Sequence, residues 1–292
     1  MATFLLSAFA DEASEMLDGQ IAALKRNDLH CIEPRNINGG PTLRKTDEEL
    51  FAIRKQLDDA GITVPSFGSP IGKWQITEDF EPQLADFRRA LRVCEILGTK
   101  RMRMFSYYLD RTQMKEYRNE ILRRLSVMLE EGERAGIKLC HENEGEIYGQ
   151  NPEDVADILT SLPGLRAVYD PANFVWCKQD PVKGLDVSIG SMEYMHIKDA
   201  AQDGSEIMMV PAGTGDGRIK EVLQRVDKTF DREIVLTLEP HLYVSDSYKK
   251  FDGRGMKHRF HFETADEAFD YGVNSLKKFL AEIGHPIVGG RG

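Results

Sequence analysis

Short apolar runs alternate along the chain with longer amphipathic ones. The short runs, Phe4–Ser7, His30–Glu33, Thr63–Phe67, Arg101–Phe105, Lys138–Glu142, Ala167–Asp170, Tyr194–Lys198 and Ile234–Glu239, predict strands. Between them, apolar residues recur at spacings of three and four, as one face of a helix requires. Phe80, Leu84, Phe87, Leu91 and Cys94 form one such stripe, and Met114, Tyr117, Ile121, Leu125 and Met128 form the next. Helix starts carry their own chemistry. Thr46 with Glu49 and Thr264 with Glu267 have capping-box spacing, and Asn151-Pro152 reads as an N-cap followed by proline in the first turn. `DAGI` (Asp59–Ile62) and `RAGI` (Arg134–Ile137) read as helix ends with a glycine stop leading into a strand.

Eight strand–helix alternations without a linker or low-complexity break predict one α/β domain over residues 1–292, a parallel (β/α)₈ TIM barrel. The alternative, an open doubly wound sheet, expects a glycine-rich phosphate turn after its first strand. The first turn here is `SAFADEA`, and no such loop occurs in the first half.

A net charge of −10 argues against a large phosphate-backbone footprint and hence against a nucleic-acid partner. Cys31, Cys94, Cys140 and Cys177 are scattered with no C-x-x-C pair, which reads as reduced thiols in a cytoplasmic protein. The opening `MATFLLSAFADEA` lacks a positive n-region and meets acids at once, so a first strand is expected there rather than a signal peptide. No apolar run is long enough to span a membrane. Self-association into a homo-oligomer is left open.

In a barrel, chemistry gathers at the C-terminal ends of the strands. The last four strands end on Glu142 (`LCHE`), Asp170 (`AVYD`), His196 (`YMHIKD`) and Glu239 (`LTLE`). Singly, each reads as a solvated loop residue, a packed histidine or a turn opener. Jointly, three carboxylates and one imidazole at consecutive strand ends form a candidate site for one divalent metal ion: Mn²⁺, Mg²⁺, Co²⁺ or Zn²⁺.

The motifs `LSAFADEA`, `CIEPRNING`, `LCHENEG`, `VYDPANF`, `MHIKDA` followed by `VPAGTGDGRI`, and `LEPH` span nearly the whole chain. In them the sequence resembles the sugar phosphate isomerase/epimerase superfamily, the xylose-isomerase-like barrels that include ketose 3-epimerases, inosose-processing enzymes and endonuclease IV. The resemblance implies one metal held by Glu142, Asp170, His196 and Glu239, with Glu142 and Glu239 also shuttling protons. The Glu-Asn pair at Glu142-Asn143 favours Glu142 over Glu144 as ligand, although alternation along the strand puts both on one face. Glu146 reads as a solvated loop acid.

The implied partner is a small sugar or cyclitol. Glu33 would bind a substrate hydroxyl or metal-bound water, or else form a salt bridge to Arg35 or a neighbouring strand. Lys198 would steady an oxyanion or a phosphate, or else pair with Asp199 or an inward-facing acid. Asn173 stands where other members carry a substrate-contacting histidine, which loosens the sugar assignment. Trp74 and Phe105 are candidate aromatic walls, and His241 could reach the pocket mouth. His141 should face the helix layer. The long stretch 241–263 is a candidate lid, phosphate binder or subunit contact.

The expected activity is a metal-dependent isomerisation or epimerisation by proton transfer next to a carbonyl. An inosose-type dehydratase on the same site is the alternative. A DNA-repair endonuclease would need more histidines than the seven present, and a non-catalytic sugar-binding barrel would have no need of spare protonatable carboxylates.

Overall fold

A computed structural model describes residues 1–243, 257–258 and 260–285. The strands are β1 (Thr3–Ala8), β2 (Asn36–Ile37), β3 (Gly40–Pro41), β4 (Arg101–Met104), β5 (Lys138–Glu142), β6 (Arg166–Tyr169), β7 (Met192–Ile197), β8 (Asp199–Asp203), β9 (Glu206–Val210), β10 (Glu233–Leu238) and β11 (Lys257–His258). The helices are α1 (Leu17–Arg26), α2 (Asp47–Asp59), α3 (Phe80–Leu97), α4 (Met114–Arg134), α5 (Pro152–Ser161), α6 (Pro171–Trp176), α7 (Pro181–Ser188), α8 (Ile219–Thr229) and α9 (Ala265–Glu282).

Six strands pair in parallel in the order β1, β10, β7, β6, β5, β4, so the first strand closes onto the last. The gap between β1 and β4 is spanned by two barely laddered segments. Glu33 N donates to Ala8 O (3.0 Å), Ile32 N to Thr63 O (3.0 Å), and Phe67 N to Arg101 O (3.0 Å). These are the second and third predicted strands, and they bond too sparsely to run as strands. Pro65 has no N–H to offer and Pro34 ends the other segment, so neither can carry a full ladder. The barrel is closed nonetheless, as the pattern predicts.

The expected caps form. Thr46 and Glu49 make both bonds of a capping box, and Asn151 accepts from Asp154 N (2.8 Å) ahead of Pro152. Thr264 accepts from Glu267 N (3.1 Å), but the Glu267 carboxylate turns to Glu263 N instead of completing a box. Gly61 and Gly136 take the positive φ expected of helix stops.

The helices bury their apolar stripes against the outside of the sheet, and that layer forms the main core. Inside the barrel lies a smaller apolar rung of Cys140, Val168, Tyr194 and Val235, with Leu5 against it. Side chains alternate along a strand, so the next inward positions are two residues on: Glu142, Asp170, His196 and Thr237. The apolar rung is therefore the floor of a polar chamber.

One element is absent from the sequence reading. After β7 the chain makes an antiparallel hairpin, β8–β9, turning at Asp203-Gly204 with Gly204 at φ 60°. Among the described residues, no helix is long and apolar enough to cross a membrane. Of the stretch 241–263, residues 244–256 and 259 lie outside the described residues.

Candidate active site and metal centre

Glu142 ends β5, Asp170 follows β6 as the N-cap of α6, His196 lies near the end of β7, and Glu239 follows β10. All four are buried, and one ligand atom from each falls within 4.8 Å of the other three. His196 Nδ1 stands 2.9 Å from Glu142 Oε1 and 3.8 Å from Glu239 Oε2.

Basic side chains surround the cluster. Arg103 Nη1 donates to Glu142 Oε2 (3.2 Å), and Arg35 Nη1 to Glu239 Oε1 (2.7 Å). Lys198 Nζ bridges Asp170 Oδ2 (3.1 Å) and Glu239 Oε2 (3.3 Å). Burial alone would neutralise these acids, but their neighbours decide otherwise. His196 and Arg103 hold Glu142 below the usual carboxylate range, and Lys198, His241 and Arg35 hold Glu239 well below it. Asp170 goes the other way: burial, only partly offset by Lys198 and reinforced by Glu142 and Glu239, pushes it up to about 6. Burial opposes charge on His196, yet Glu142 and Glu33 outweigh it and raise the imidazole to about 10.

This is an overcrowded set of anions. Asp170 Oδ2 is buried without a hydrogen bond, held only by the ionic contact with Lys198. Three carboxylates and an imidazole converging with an unsatisfied oxygen suit a hard or borderline divalent cation.

Glu33 lies at the bottom of this arrangement and off the cavity lining. It is fully buried, accepts from Tyr194 Oη (2.8 Å) and Thr237 Oγ1 (2.7 Å), and faces His196 Nε2 at 3.4 Å. Its partner is not Arg35, which pairs with Asp11 and Glu239. With an ion bound in place of the Nδ1 proton, a carboxylate against Nε2–H would leave the Nδ1 lone pair to face it, the usual device for orienting a metal-bound histidine.

The chamber opens into a cavity of about 320 Å³. Lys198, Asn173 and His241 line it, together with Glu142 and Glu239. Asn173 Nδ2 donates to Asn143 O (2.8 Å) and Glu142 Oε1 (3.3 Å), so it steadies the Glu142 carboxylate from the side. His241 bridges Glu12 Oε1 (2.9 Å) and Glu239 Oε1 (3.2 Å). Asn143, beside Glu142, clasps the Asp170 backbone through both amide atoms (2.9 and 3.0 Å).

Glu144 also lines the cavity, 3.2 Å from Lys73 Nζ, and stands outside the ligand cluster; Glu146 is exposed. Trp74 and Phe105 do not line the cavity. Trp74 packs on the main core, and the Phe105 ring lies beneath Lys73 Nζ (4.5 Å) and Arg103 (4.9 Å). The aromatic lining comes instead from Tyr108, Trp176 and Tyr243. His141 is buried against Ser106 Oγ (2.8 Å), and burial pulls its pKa down to about 4, so it is neutral.

Arg35 and Arg103 are the functional side chains that pattern reading passed over. In `RMRM` the alternation of Arg and Met suggests a half-exposed strand, whereas in a barrel both faces are covered and Arg103 points inward.

Residues 21–248 match the model of the xylose isomerase-like TIM barrel. The chain belongs to this family. Its fold is shared with the IolI protein crystallised with a bound zinc atom (16% identity, TM-score 0.72, covering 97% of this chain and 99% of that one). It is similar to L-ribulose 3-epimerase (15% identity, TM-score 0.68, 97% and 96% covered). The probable 3-DHS dehydratase AsbF of Bacillus anthracis has the same fold (14% identity, TM-score 0.68, 94% and 98% covered). No curated protein matches the chain.

Proposed function

We propose that this xylose isomerase-like barrel is a divalent-metal-dependent isomerase or epimerase of a sugar, keto-sugar or cyclitol, working by proton transfer next to a carbonyl. The observation that carries this reading is the pair Glu142 and Glu239. Both are carboxylates held ionised by fixed cations, both line the cavity, and they flank His196 from separate strands. Glu142, Asp170, His196 and Glu239 would hold one ion, Mn²⁺, Mg²⁺, Co²⁺ or Zn²⁺, which supplies Lewis-acid stabilisation of charge developing on a substrate oxygen.

The protein's own groups divide the remaining tasks. One of Glu142 and Glu239 takes the proton beside the carbonyl and the other returns one; return to the opposite face inverts the centre. Arg103 and Arg35 keep the two carboxylates aimed, and Lys198 offers a charge-assisted donor to a substrate oxygen.

A dehydratase on the same site is the second reading. His241, raised to about 9 against its burial by Glu12 and Glu239, is a protonated acid 3.2 Å from Glu239 that could protonate a departing hydroxyl. The deciding experiment incubates metal-reconstituted protein with a panel of ketoses and keto-cyclitols in deuterated water. Deuterium at the carbon next to the carbonyl, abolished in Glu142→Gln and Glu239→Gln, supports the isomerase reading. A new conjugated chromophore favours the dehydratase, and no exchange with any panel member removes the proposal.

A further inference from the structure

Phe9 follows β1 in the turn `SAFADEA`, fully buried and off the cavity lining. Its backbone N–H donates to Leu238 O (3.0 Å), which sets it beside Glu239 at the end of β10. A buried phenylalanine at a strand end reads first as core. Among the described residues, however, Phe9 joins none of the apolar clusters. Its ring meets charge instead. The Arg35 guanidinium lies over it at 4.5 Å from the centroid and the Arg103 guanidinium at 5.0 Å. The ring also stands at 75° to the His196 imidazole, with centroids 5.0 Å apart. Arg103 lies in turn over Phe105 (4.9 Å), whose ring carries Lys73 Nζ at 4.5 Å. The result is an alternating row of cation and ring: Arg35, Phe9, Arg103, Phe105 and Lys73. Each of its cations is paired with a carboxylate of the site, Glu239, Glu142 and Glu144 in turn.

Gly68 shows how closely the ring is fitted. A Cβ there would come within 2.5 Å of Phe9 Cε1. The carbonyls of Gly68 and Ser69 receive Arg103 Nη2 (3.2 Å) and Nε (3.3 Å), so one strip of chain seats both the ring and a guanidinium over it. An aromatic face is negative and attracts cations, the more so where water is excluded. That attraction acts on the two side chains that aim the glutamates. Arg35 Nη1 occupies Glu239 Oε1, and Arg103 Nη1 occupies Glu142 Oε2. The remaining oxygens, Glu239 Oε2 and Glu142 Oε1, stand 3.8 and 2.9 Å from His196 Nδ1. A guanidinium has five donors. Unseated, it would swing across and bridge the ion-facing oxygens as well. The ring face also offsets part of the positive charge that would repel an incoming cation.

We propose that Phe9 is a positioning residue of the metal centre: its ring seats Arg35 and Arg103 by cation–π attraction and, through them, fixes which oxygen of Glu239 and of Glu142 faces the ion. This rests on reading Glu142, Asp170, His196 and Glu239 as the ligands, and gives an apolar side chain an electrostatic task beside them. A plain packing role makes a different prediction. Packing depends on the shape of the ring, whereas cation–π attraction depends on its electron density.

The test replaces Phe9 in the full chain by para-fluoro-, difluoro- and trifluorophenylalanine, with para-methylphenylalanine as the control for bulk at the ring edge. Fluorine withdraws density from the ring face and changes its outline little. Affinity for Mn²⁺ and for Zn²⁺ is read by competition against a chromophoric chelator, and the melting temperature without metal reports the fold. Affinity is expected to fall stepwise with fluorine number, by roughly 10-fold across the series, the size of effect that desolvated cation–π contacts carry. The para-methyl variant is expected to bind like the parent. A flat series, or an equal loss in the para-methyl variant, overturns the inference. If the larger substituents unfold the chain, the para-fluoro variant decides alone, and affinity equal to the parent's overturns the inference. A parent that binds neither ion removes the metal centre and this inference with it; a parent that binds, with a flat series, removes the inference alone. No turnover is read, so failure of the isomerase reading leaves the result standing.

Discussion

Substituting Glu33 by Gln probes the design of the centre at a residue that touches no solute. Glu33 accepts two hydroxyl bonds, from Tyr194 and Thr237, and faces His196 Nε2 at 3.4 Å. Gln keeps the volume but offers one oxygen and one NH₂ where Glu offered two acceptors. If the NH₂ faces His196, it donates to Nε2 and drives the proton to Nδ1, the nitrogen that stands among the other ligands. If it faces the hydroxyls, one of them must reverse its bond, and the negative charge that raised the imidazole's basicity is gone either way. Loss of such an outer partner typically lowers metal affinity 10- to 100-fold, about 1.4–2.8 kcal/mol. The assay is competition for Zn²⁺ or Mn²⁺ against a chromophoric chelator, with far-UV circular dichroism confirming an intact fold. Affinity unchanged within about threefold would refute the argument that Glu33 sets the His196 tautomer.

Other outcomes follow from the same geometry. Adding Mn²⁺ or Zn²⁺ at about 100 times its dissociation constant should stabilise the protein by about 2.7 kcal/mol, read as a higher melting temperature, and Asp170→Asn should blunt that response. With metal saturating, Glu142→Gln and Glu239→Gln should each lower kcat by about 10²-fold or more; a variant retaining full turnover would remove that residue from proton transfer. His141 is buried neutral with its pKa lowered to about 4, so its contribution is complete above the unfolded value near 6.5 and is lost as pH falls toward 4. Unfolding free energies from urea titrations at pH 7 and pH 4.5 should therefore converge in His141→Gln by about 2.4 kcal/mol relative to the parent, and an unchanged difference would contradict the assignment. Asp199→Ala should release three glycine amides and raise hydrogen exchange at Gly213, Gly215 and Gly217; continued protection there would mean that the loop is held by something other than the carboxylate.

The barrel was legible because apolar runs of strand length and helical stripes alternate without interruption, and because acids and a histidine stop four successive runs. Register along a strand translated directly into depth for Glu142, Asp170 and His196, which stand one inward position above the apolar rung. Glu33 shows where this logic ends. Its backbone reaches the end of β1, where Glu33 N bonds Ala8 O, yet its side chain lies beneath His196 against Tyr194 and Thr237, and depth across neighbouring strands depends on stagger that no single segment encodes. The β8–β9 hairpin was signalled by Asp203-Gly204, but flanking residues such as Gln202 and Glu206 broke the apolar run that would have marked it as strand. Trp74 was assigned by its position after a strand, and it is the neighbouring Lys73 that turns to the cavity.

The sparse bonding of the segments at 30–33 and 63–67 gives the barrel a seam. Elsewhere each stave is tied to its neighbours by a parallel ladder, with one register shift at Ala167/Val168 between β6 and β7; here, isolated bridges do the joining beside prolines that offer no N–H. Local opening follows the fewest backbone bonds, so amide exchange should begin along this line while β5, β6, β7 and β10 remain protected. Arg35 hangs just past one side of the seam, and Gly68 and Ser69, whose carbonyls receive Arg103, lie just past the other. A breath at the seam therefore loosens both guanidinium anchors at once while leaving the ligand-bearing staves still.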